Sequence, residues 1–313
     1  MTAFYTRLIL SGLFIFTSHL TYASTTVCLT TCVDLSKPAL KVVALNWTAA
    51  EMLLSLEIVP IGITEGKGYR KWQTNNPTLP DTVSEIGRRQ EPNLAAIAKL
   101  KPDLIIGYEF RHRHILHSLN QIAPTLLYQQ FGNLSQPNFS YFETSQLVFL
   151  TIANAVDKTA EAEHIIMSLS QELEMLKQQL VKAGLENKPV SYGKFVGMGY
   201  GLRMFNNKSL AGEIAQQLGL QYTWESALPG KDFTHLQLEQ LPALHNTHLI
   251  LAGNQVDSER MMQSPVWPLL PFARQHNLSH VPPLFSFGGP RSSLKMAHAF
   301  TDSLLNWQNK TND

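Results

Sequence analysis

The densest grouping of chemically active side chains is Arg111-His112-Arg113-His114-Ile115-Leu116-His117. Imidazole is a common protein ligand for transition metals, and His114 and His117, three residues apart on an expected helix, can face one ion. A divalent metal ordinarily takes a third or fourth ligand at a defined place, and no second cluster of His or carboxylate accompanies this run. The run therefore reads first as solvated surface, with capture of a bare transition metal as the second reading, and no metal ligand is assigned. Gly197-Met198-Gly199-Tyr200-Gly201 follows an expected strand but lacks the G-x-G-x-x-G spacing that cradles a pyrophosphate, and a turn accounts for it. No G-x-S-x-G elbow, H-E-x-x-H helix or phosphate-binding loop occurs, so the residues point away from an enzyme.

Cys28 and Cys32 are the only cysteines. With no partner ligands beside them they make a poor metal site. They can bridge, closing a very short loop that adds little stability, or Cys28 can be a lipidated first residue. Thr25-Thr26-Val27 lacks the Leu and small residues expected ahead of a lipidated cysteine, which favours a soluble periplasmic protein. Arg7 ahead of the apolar run 8–16, followed by Tyr22-Ala23 before Ser24, has the form of a cleavable signal peptide over residues 1–23. That apolar run is about half of the ~20 residues a spanning helix needs. The 313 residues carry a formal net charge of +1 with Lys and Arg scattered, so nothing calls for nucleic acid and the length suits two lobes.

Positioning falls to α/β units. After an N-terminal segment, 24–40, a first α/β lobe over 41–142 is expected to place strands at 41–45, 58–63, 104–107 and 125–128. Helices are expected at 48–56, with Thr48 as N-cap and Glu51 three residues on, and at 93–100 and 114–122. Residues 143–156 and 158–183 contain neither proline nor glycine, and Ile165, Leu169, Leu173, Leu176 and Leu180 set one apolar stripe on a long helix. At 1.5 Å per residue it would run on the order of 35 Å, a strut through a helical region over 143–184. The α/β alternation resumes over 185–313, with a strand at 192–198, a helix at 210–218 and a strand at 249–251. The segment 232–241 precedes that last strand much as 93–100 precedes 104–107. Two α/β lobes joined by one long rigid helix leave a cleft between them as the default ligand site.

Several stretches, in order, resemble the FhuD-like ferric hydroxamate binding proteins, part of the wider helix-linked class of siderophore and cobalamin binding proteins. They are Val42-Val43-Ala44-Leu45-Asn46-Trp47, Tyr69-Arg70-Lys71-Trp72, Leu79-Pro80-Asp81, Gly87-Arg88-Arg89-Gln90-Glu91-Pro92-Asn93-Leu94, Leu100-Lys101-Pro102-Asp103-Leu104-Ile105, Ser264-Pro265-Val266-Trp267 and 281–288. The resemblance covers nearly the whole mature chain. It implies a periplasmic, monomeric binding protein that delivers a ferric siderophore, of hydroxamate or citrate-hydroxamate type, to an inner-membrane ABC permease. A bare metal, haem or cobalamin is the alternative cargo. It also implies a shallow cleft with little hinge motion.

A ferric siderophore saturates its iron with its own oxygens, so no cofactor or metal ligand is required of the protein. It needs aromatic faces and a few fixed cationic donors. The resemblance puts Arg89 where the family arginine faces iron-bound hydroxamate oxygens, and Trp72 where an aromatic lines the cleft, with Tyr69 a weaker neighbour. Phe285 and Phe287 fall where relatives carry Trp and Tyr, and their alternate spacing puts both rings on one side of an extended segment. Arg111 and Lys231 stand near positions that are aromatic in relatives, and Arg291 adds a cation. Gaining cations while losing ring polarity would favour a ligand with free carboxylates. For docking to the permease, Glu239 aligns with the second-lobe acidic residue; the first-lobe position is Ala95, leaving Glu91 or Glu85 to substitute.

Overall fold

A computed structural model describes residues 24–74, 76–130, 139–195, 201–253 and 262–312. The expected signal peptide and residues 197–200 of the glycine-rich turn lie outside the described residues. The described residues open on an antiparallel hairpin, β1 (Thr25–Cys28) and β2 (Cys32–Leu35), in which Cys28 and Cys32 are register partners and form a disulfide. The segment before the first lobe is thus part of that lobe. Val27, Val33 and Leu35 join its core.

The first lobe is a five-stranded parallel sheet built from β3 (Val42–Ala44), β4 (Gly62–Ile63), β5 (Ser84–Glu85), β6 (Leu104–Tyr108) and β7 (Thr125–Tyr128), in the order β5-β4-β3-β6-β7. Alternation along its apolar strands divides two cores. Val42, Ala44, Leu104 and Ile106 face one, while Val43, Leu45 and Ile105 face the other. The hairpin tip shields part of the β7 edge: the Thr30 amide and the Thr31 hydroxyl donate to the Leu127 and Thr125 carbonyls, each at 2.9 Å.

The crossovers are α1 (Trp47–Ser55), α2 (Gly66–Trp72), α3 (Leu94–Leu100), the short α4 (Glu109–His112) and α5 (Leu116–Asn120). Asn46, not Thr48, caps α1, its side-chain oxygen accepting from the Ala49 amide at 2.8 Å. The expected helix over 114–122 is broken, with a 3-10 turn between α4 and α5.

Two helices then cross between the lobes. In α6 (Tyr141–Ala155), Tyr141 and Phe142 pack in the second lobe and Phe149 and Ile152 in the first. In α7 (Thr159–Lys182), Ala162 packs in the first lobe and Leu169, Leu173, Leu176 and Leu180 in the second. Asp157, at φ 58°, turns the chain between them. The long helix therefore runs from residue 159 with a second strut beside it.

The second lobe contains β8 (Pro189–Phe195), β9 (Leu202–Phe205), α8 (Leu210–Gln217), β10 (Gln221–Tyr222), β11 (Phe233–Leu236), β12 (His248–Ala252), α9 (Pro271–Arg274) and β13 (Leu278–Val281). Its sheet order is β11-β9-β8-β12-β13, with β9 antiparallel to β8 and β11. The expected helical segment 232–241 is instead strand β11 followed by a 3-10 turn, Leu238–Leu244. The chain ends in α10 (Pro290–Asn312), packed against α7.

The lobes are pinned at the start of α10. Glu51, wholly buried on α1, accepts from the amides of Gly289 (3.2 Å) and Ser292 (2.9 Å), from the Ser292 hydroxyl (2.6 Å) and from the Gln73 amide (2.5 Å). Donors at a helix N-terminus suit a carboxylate. A Cβ at Gly288 would collide with Ser292 and Glu51, so glycine is required for this approach. Lys295 adds bonds to the Gln73 and Asn76 carbonyls, and the Thr48 hydroxyl meets the Phe287 carbonyl at 2.7 Å. Truncating Glu51→Ala strands buried amides, at about 1–3 kcal/mol for an unsatisfied group. We expect urea unfolding to register a loss of at least about 2 kcal/mol, with Glu51→Gln costing less; an unchanged midpoint for Glu51→Ala contradicts the latch.

Candidate functional site

Most first-lobe side chains in the cleft follow the C-terminal end of a parallel strand, where open α/β sheets place their ligands, while Trp72 ends α2. Trp47 follows β3, Glu65 follows β4, Arg89 follows β5, and Phe110 and Arg111 follow β6. The Trp47 indole donates to the Thr64 and Glu65 carbonyls, both at 3.1 Å. Arg89 lies over that indole with its guanidinium carbon 3.9 Å from the ring centroid, and its Nε donates to Glu65 Oε2 at 2.7 Å. Its own amide meets Glu65 Oε1 at 3.2 Å, and its carbonyl accepts from His112 Nε2 at 3.0 Å. Arg89 is thus oriented from both backbone and side chain, unlike a solvated surface arginine.

Across the cleft, Lys194 on β8 and Arg203 on β9 are register partners, so their side chains leave the same face of the sheet. The Lys194 ammonium stands 5.2 Å from the Trp72 ring of the first lobe, 5.4 Å from Phe205 and 5.6 Å from Phe287. Arg203 covers the Phe233 ring at 4.3 Å and donates from Nε to His235 at 3.0 Å. Between these ends runs a chain of rings: Trp47 to Phe285 at 5.6 Å, Phe285 to Phe287 at 6.0 Å, and Phe287 to Phe233 at 6.3 Å. The result is an aromatic floor with a guanidinium at each end and an ammonium near its middle.

Phe110, 45% exposed, forms a second rim. It lies 5.0 Å from the Arg111 guanidinium and 5.6 Å from the Lys231 ammonium of the other lobe. With the Gln90 amide turned to suit its neighbours, its nitrogen faces Glu65 Oε1 at 3.2 Å and its oxygen faces Arg111 Nη1 at 3.3 Å.

Burial shapes the charges. Desolvation, then the neighbouring Arg203, lowers Lys194 to about 7, partly opposed by Asp232. Desolvation raises the buried Asp232 to about 7 against its own amide and the pull of Lys194, Arg203 and Lys231. Arg111 is lowered by desolvation and then by Arg89. Desolvation likewise holds His112 down at about 4.

The sequence-based site is partly brought together. Arg89, Trp72, Arg111, Lys231, Phe285 and Phe287 all border the cleft. Tyr69 does not: it is wholly buried, its hydroxyl donating to the Pro77 carbonyl at 2.8 Å. Arg291 does not either; it lines a separate cavity of about 460 Å³ with Ser55, Glu57, Lys158, Glu161 and His164. Phe285 is nearly buried, and Ser286 faces not solvent but the Tyr192 hydroxyl, at 3.3 Å. Of the histidine run, His112 points inward, Arg113 pairs with Glu109 at 2.9 Å, and His114 and His117 are exposed. Among the described residues no three His, Cys, Asp or Glu side chains gather as a metal-binding group. Glu239 and Glu91 are exposed, one on each lobe, while Glu85 accepts from the Gly66 amide at 2.8 Å.

Trp47, Phe110, Lys194, Arg203 and Asp232 were not singled out by the sequence reading. For Lys194 and Arg203 a signal existed: each is the lone charge in its strand, flanked by apolar residues in Tyr192-Gly193-Lys194-Phe195 and Leu202-Arg203-Met204-Phe205.

The family profile described as periplasmic binding protein matches residues 42–284. This chain belongs to that family. Over 266 residues, 84% of this chain and 86% of its relative, it is 25% identical to the iron(3+)-hydroxamate-binding protein FhuD of Escherichia coli. Over 277 residues, 88% and 87% of the two chains, it is 27% identical to the Fe(3+) dicitrate-binding periplasmic protein FecB of the same organism. The solved structure of the Fe3+-Desferal-bound siderophore binding protein FhuD from Vibrio cholerae superposes with a TM-score of 0.78 at 28% identity, covering 86% of this chain and 98% of that one. The two-lobe fold with a long connecting helix is that of this class. No helix among the described residues is long and apolar enough to cross a membrane.

His112 Nε2 donates to the Arg89 carbonyl, and burial outweighs that bond to keep the ring neutral. Between pH 6.5 and about 4 the unfolded chain takes up a proton there that the folded chain refuses. Its contribution to stability is complete above pH 6.5 and is lost as pH falls through that window. Thermal midpoints of wild type and His112→Gln, compared from pH 7.5 to 4, should show the wild type falling more steeply below pH 6.5; parallel curves contradict the assignment.

Proposed function

We propose that this chain is a periplasmic solute-binding protein that captures a ferric siderophore, of hydroxamate or citrate-hydroxamate type, and passes it to an inner-membrane ABC permease. The observation that carries the reading is Arg89, stacked on Trp47 and fixed by Glu65, at the end of an aromatic floor shared by both lobes. A ferric chelate offers apolar rims and a few electron-rich oxygens. Rings bury its rims at low entropic cost, and a guanidinium fork meets its oxygens. The iron arrives with its coordination complete, so the chain supplies orientation and desolvation and performs no catalysis.

The family and the iron-chelate cargoes named for its relatives support this reading. Export would be directed by residues 1–23, with the monomer working in the periplasm. Glu239 and Glu91 would meet the permease as one exposed carboxylate from each lobe.

Intrinsic tryptophan fluorescence tests the proposal. A ferric hydroxamate or citrate-hydroxamate siderophore should quench Trp72 and Trp47, and Arg89→Ala should weaken binding at least about tenfold, or about 1.4 kcal/mol. No response to any member of a ferric siderophore panel contradicts it.

A further inference from the structure

The second-lobe wall holds more positive charge than a neutral chelate requires. Lys194 is buried, yet among the described residues no carboxylate lies within 4 Å of its ammonium or of the Arg203 guanidinium. Among the described residues the wall's one acid is Asp232, which is 0% exposed, and neither of its oxygens has a hydrogen-bond partner in another residue. Removing such charges from water is costly unless they are paired. Asp232 acts on Lys194, Arg203 and Lys231 through space without closing an ion pair. The first lobe presents Arg89 and Arg111; Glu65 pairs with Arg89 and acts on Arg111 through space. Among the described residues, Arg89, Arg111, Lys194 and Arg203 thus face only the carboxylates of Glu65 and Asp232.

We infer that Lys194 and Arg203 form a second-lobe subsite for a free carboxylate of the ferric chelate, with Asp232 as the internal counter-ion that tempers the subsite when it is empty. This rests on the siderophore reading above and selects within it. The charge distribution favours pendant carboxylates over anionic oxygens gathered at the iron. Arg89 is already committed to one end of the floor by Glu65 and Trp47, whereas Lys194 and Arg203 stand on the opposite wall. An anion reaching both walls must carry charge at a distance from the iron. Carboxylates also match the planar donor fork of arginine. The floor beneath the subsite, Phe205, Phe233 and Phe287, has no polar atom on its rings to compete for that group.

The test is a set of fluorescence titrations with three probes: ferric aerobactin, a citrate-dihydroxamate chelate with free carboxylates; ferrichrome, a neutral trihydroxamate; and a ferric tris-catecholate. The wild type should bind ferric aerobactin at least tenfold more tightly than ferrichrome. Lys194→Met and Arg203→Gln should each weaken ferric aerobactin at least tenfold more than they weaken ferrichrome. Lys194→Met places an apolar side chain in a buried position, so it should fold. Asp232→Asn removes the counter-ion and should tighten ferric aerobactin at least threefold, an effect that a merely structural role would not produce.

Equal affinity for ferric aerobactin and ferrichrome, or equal losses for both in the two cation variants, overturns the subsite while leaving siderophore capture standing. Tris-catecholate binding that is tighter than either and equally dependent on Lys194 overturns its assignment to carboxylate. Weaker ferric aerobactin binding by Asp232→Asn overturns the role given to Asp232. Silence toward all three probes removes the siderophore reading itself.

Discussion

One buried carboxylate fixes the geometry on which the rest depends. Glu51 leaves α1 in the first lobe and fills the donor-rich N-terminus of α10, which packs into the second. Its hydrogen bonds favour the charged form, but burial outweighs them and raises its pKa. Removing one partner from such an arrangement costs far more than the arrangement contributes net. This contact therefore specifies how the lobes meet. Lys295 and Thr48 bond across the same junction, so α1, α2 and α10 behave as one support.

A pinned junction changes what binding must achieve. The aromatic floor crosses the junction: Trp47 belongs to the first lobe, and Phe285 and Phe287 belong to the segment leading into α10. The same latch thus sets the ring spacing and the distance between the cation-bearing walls. With α6 and α7 also spanning both lobes, wide hinge closure would break buried packing. A preformed cleft loses little conformational freedom when a ligand enters. It also selects by shape and charge already present, which suits a rigid chelate.

Much of this was legible in the sequence where period and composition speak directly. The strands expected at 41–45, 104–107 and 125–128 appear as the fully buried strands 42–44, 104–108 and 125–128, and the stripe through Leu169, Leu173, Leu176 and Leu180 became the buried face of α7. Arg89 and Trp72 came from order and spacing against a family pattern. What was not legible depends on contacts distant in sequence. Glu51 looked like a capping-box partner because most of its donors lie some 240 residues away. Tyr69 and Arg291 carried plausible chemistry, but the turn of α2 buries one and the start of α10 directs the other into a different cavity. Lys194 and Arg203 become a pair only through the register of β8 and β9.

The most direct test is a crystal structure of the protein with a ferric citrate-hydroxamate siderophore, located by the anomalous signal of iron. We predict an iron peak between Arg89 and Trp72 on one wall and Lys194 and Phe287 on the other, with the Glu51 latch unbroken. No protein atom should lie within a bonding distance of about 2.2 Å from the iron. A peak bonded directly to His or carboxylate side chains, or one lying outside the cleft, would contradict the account.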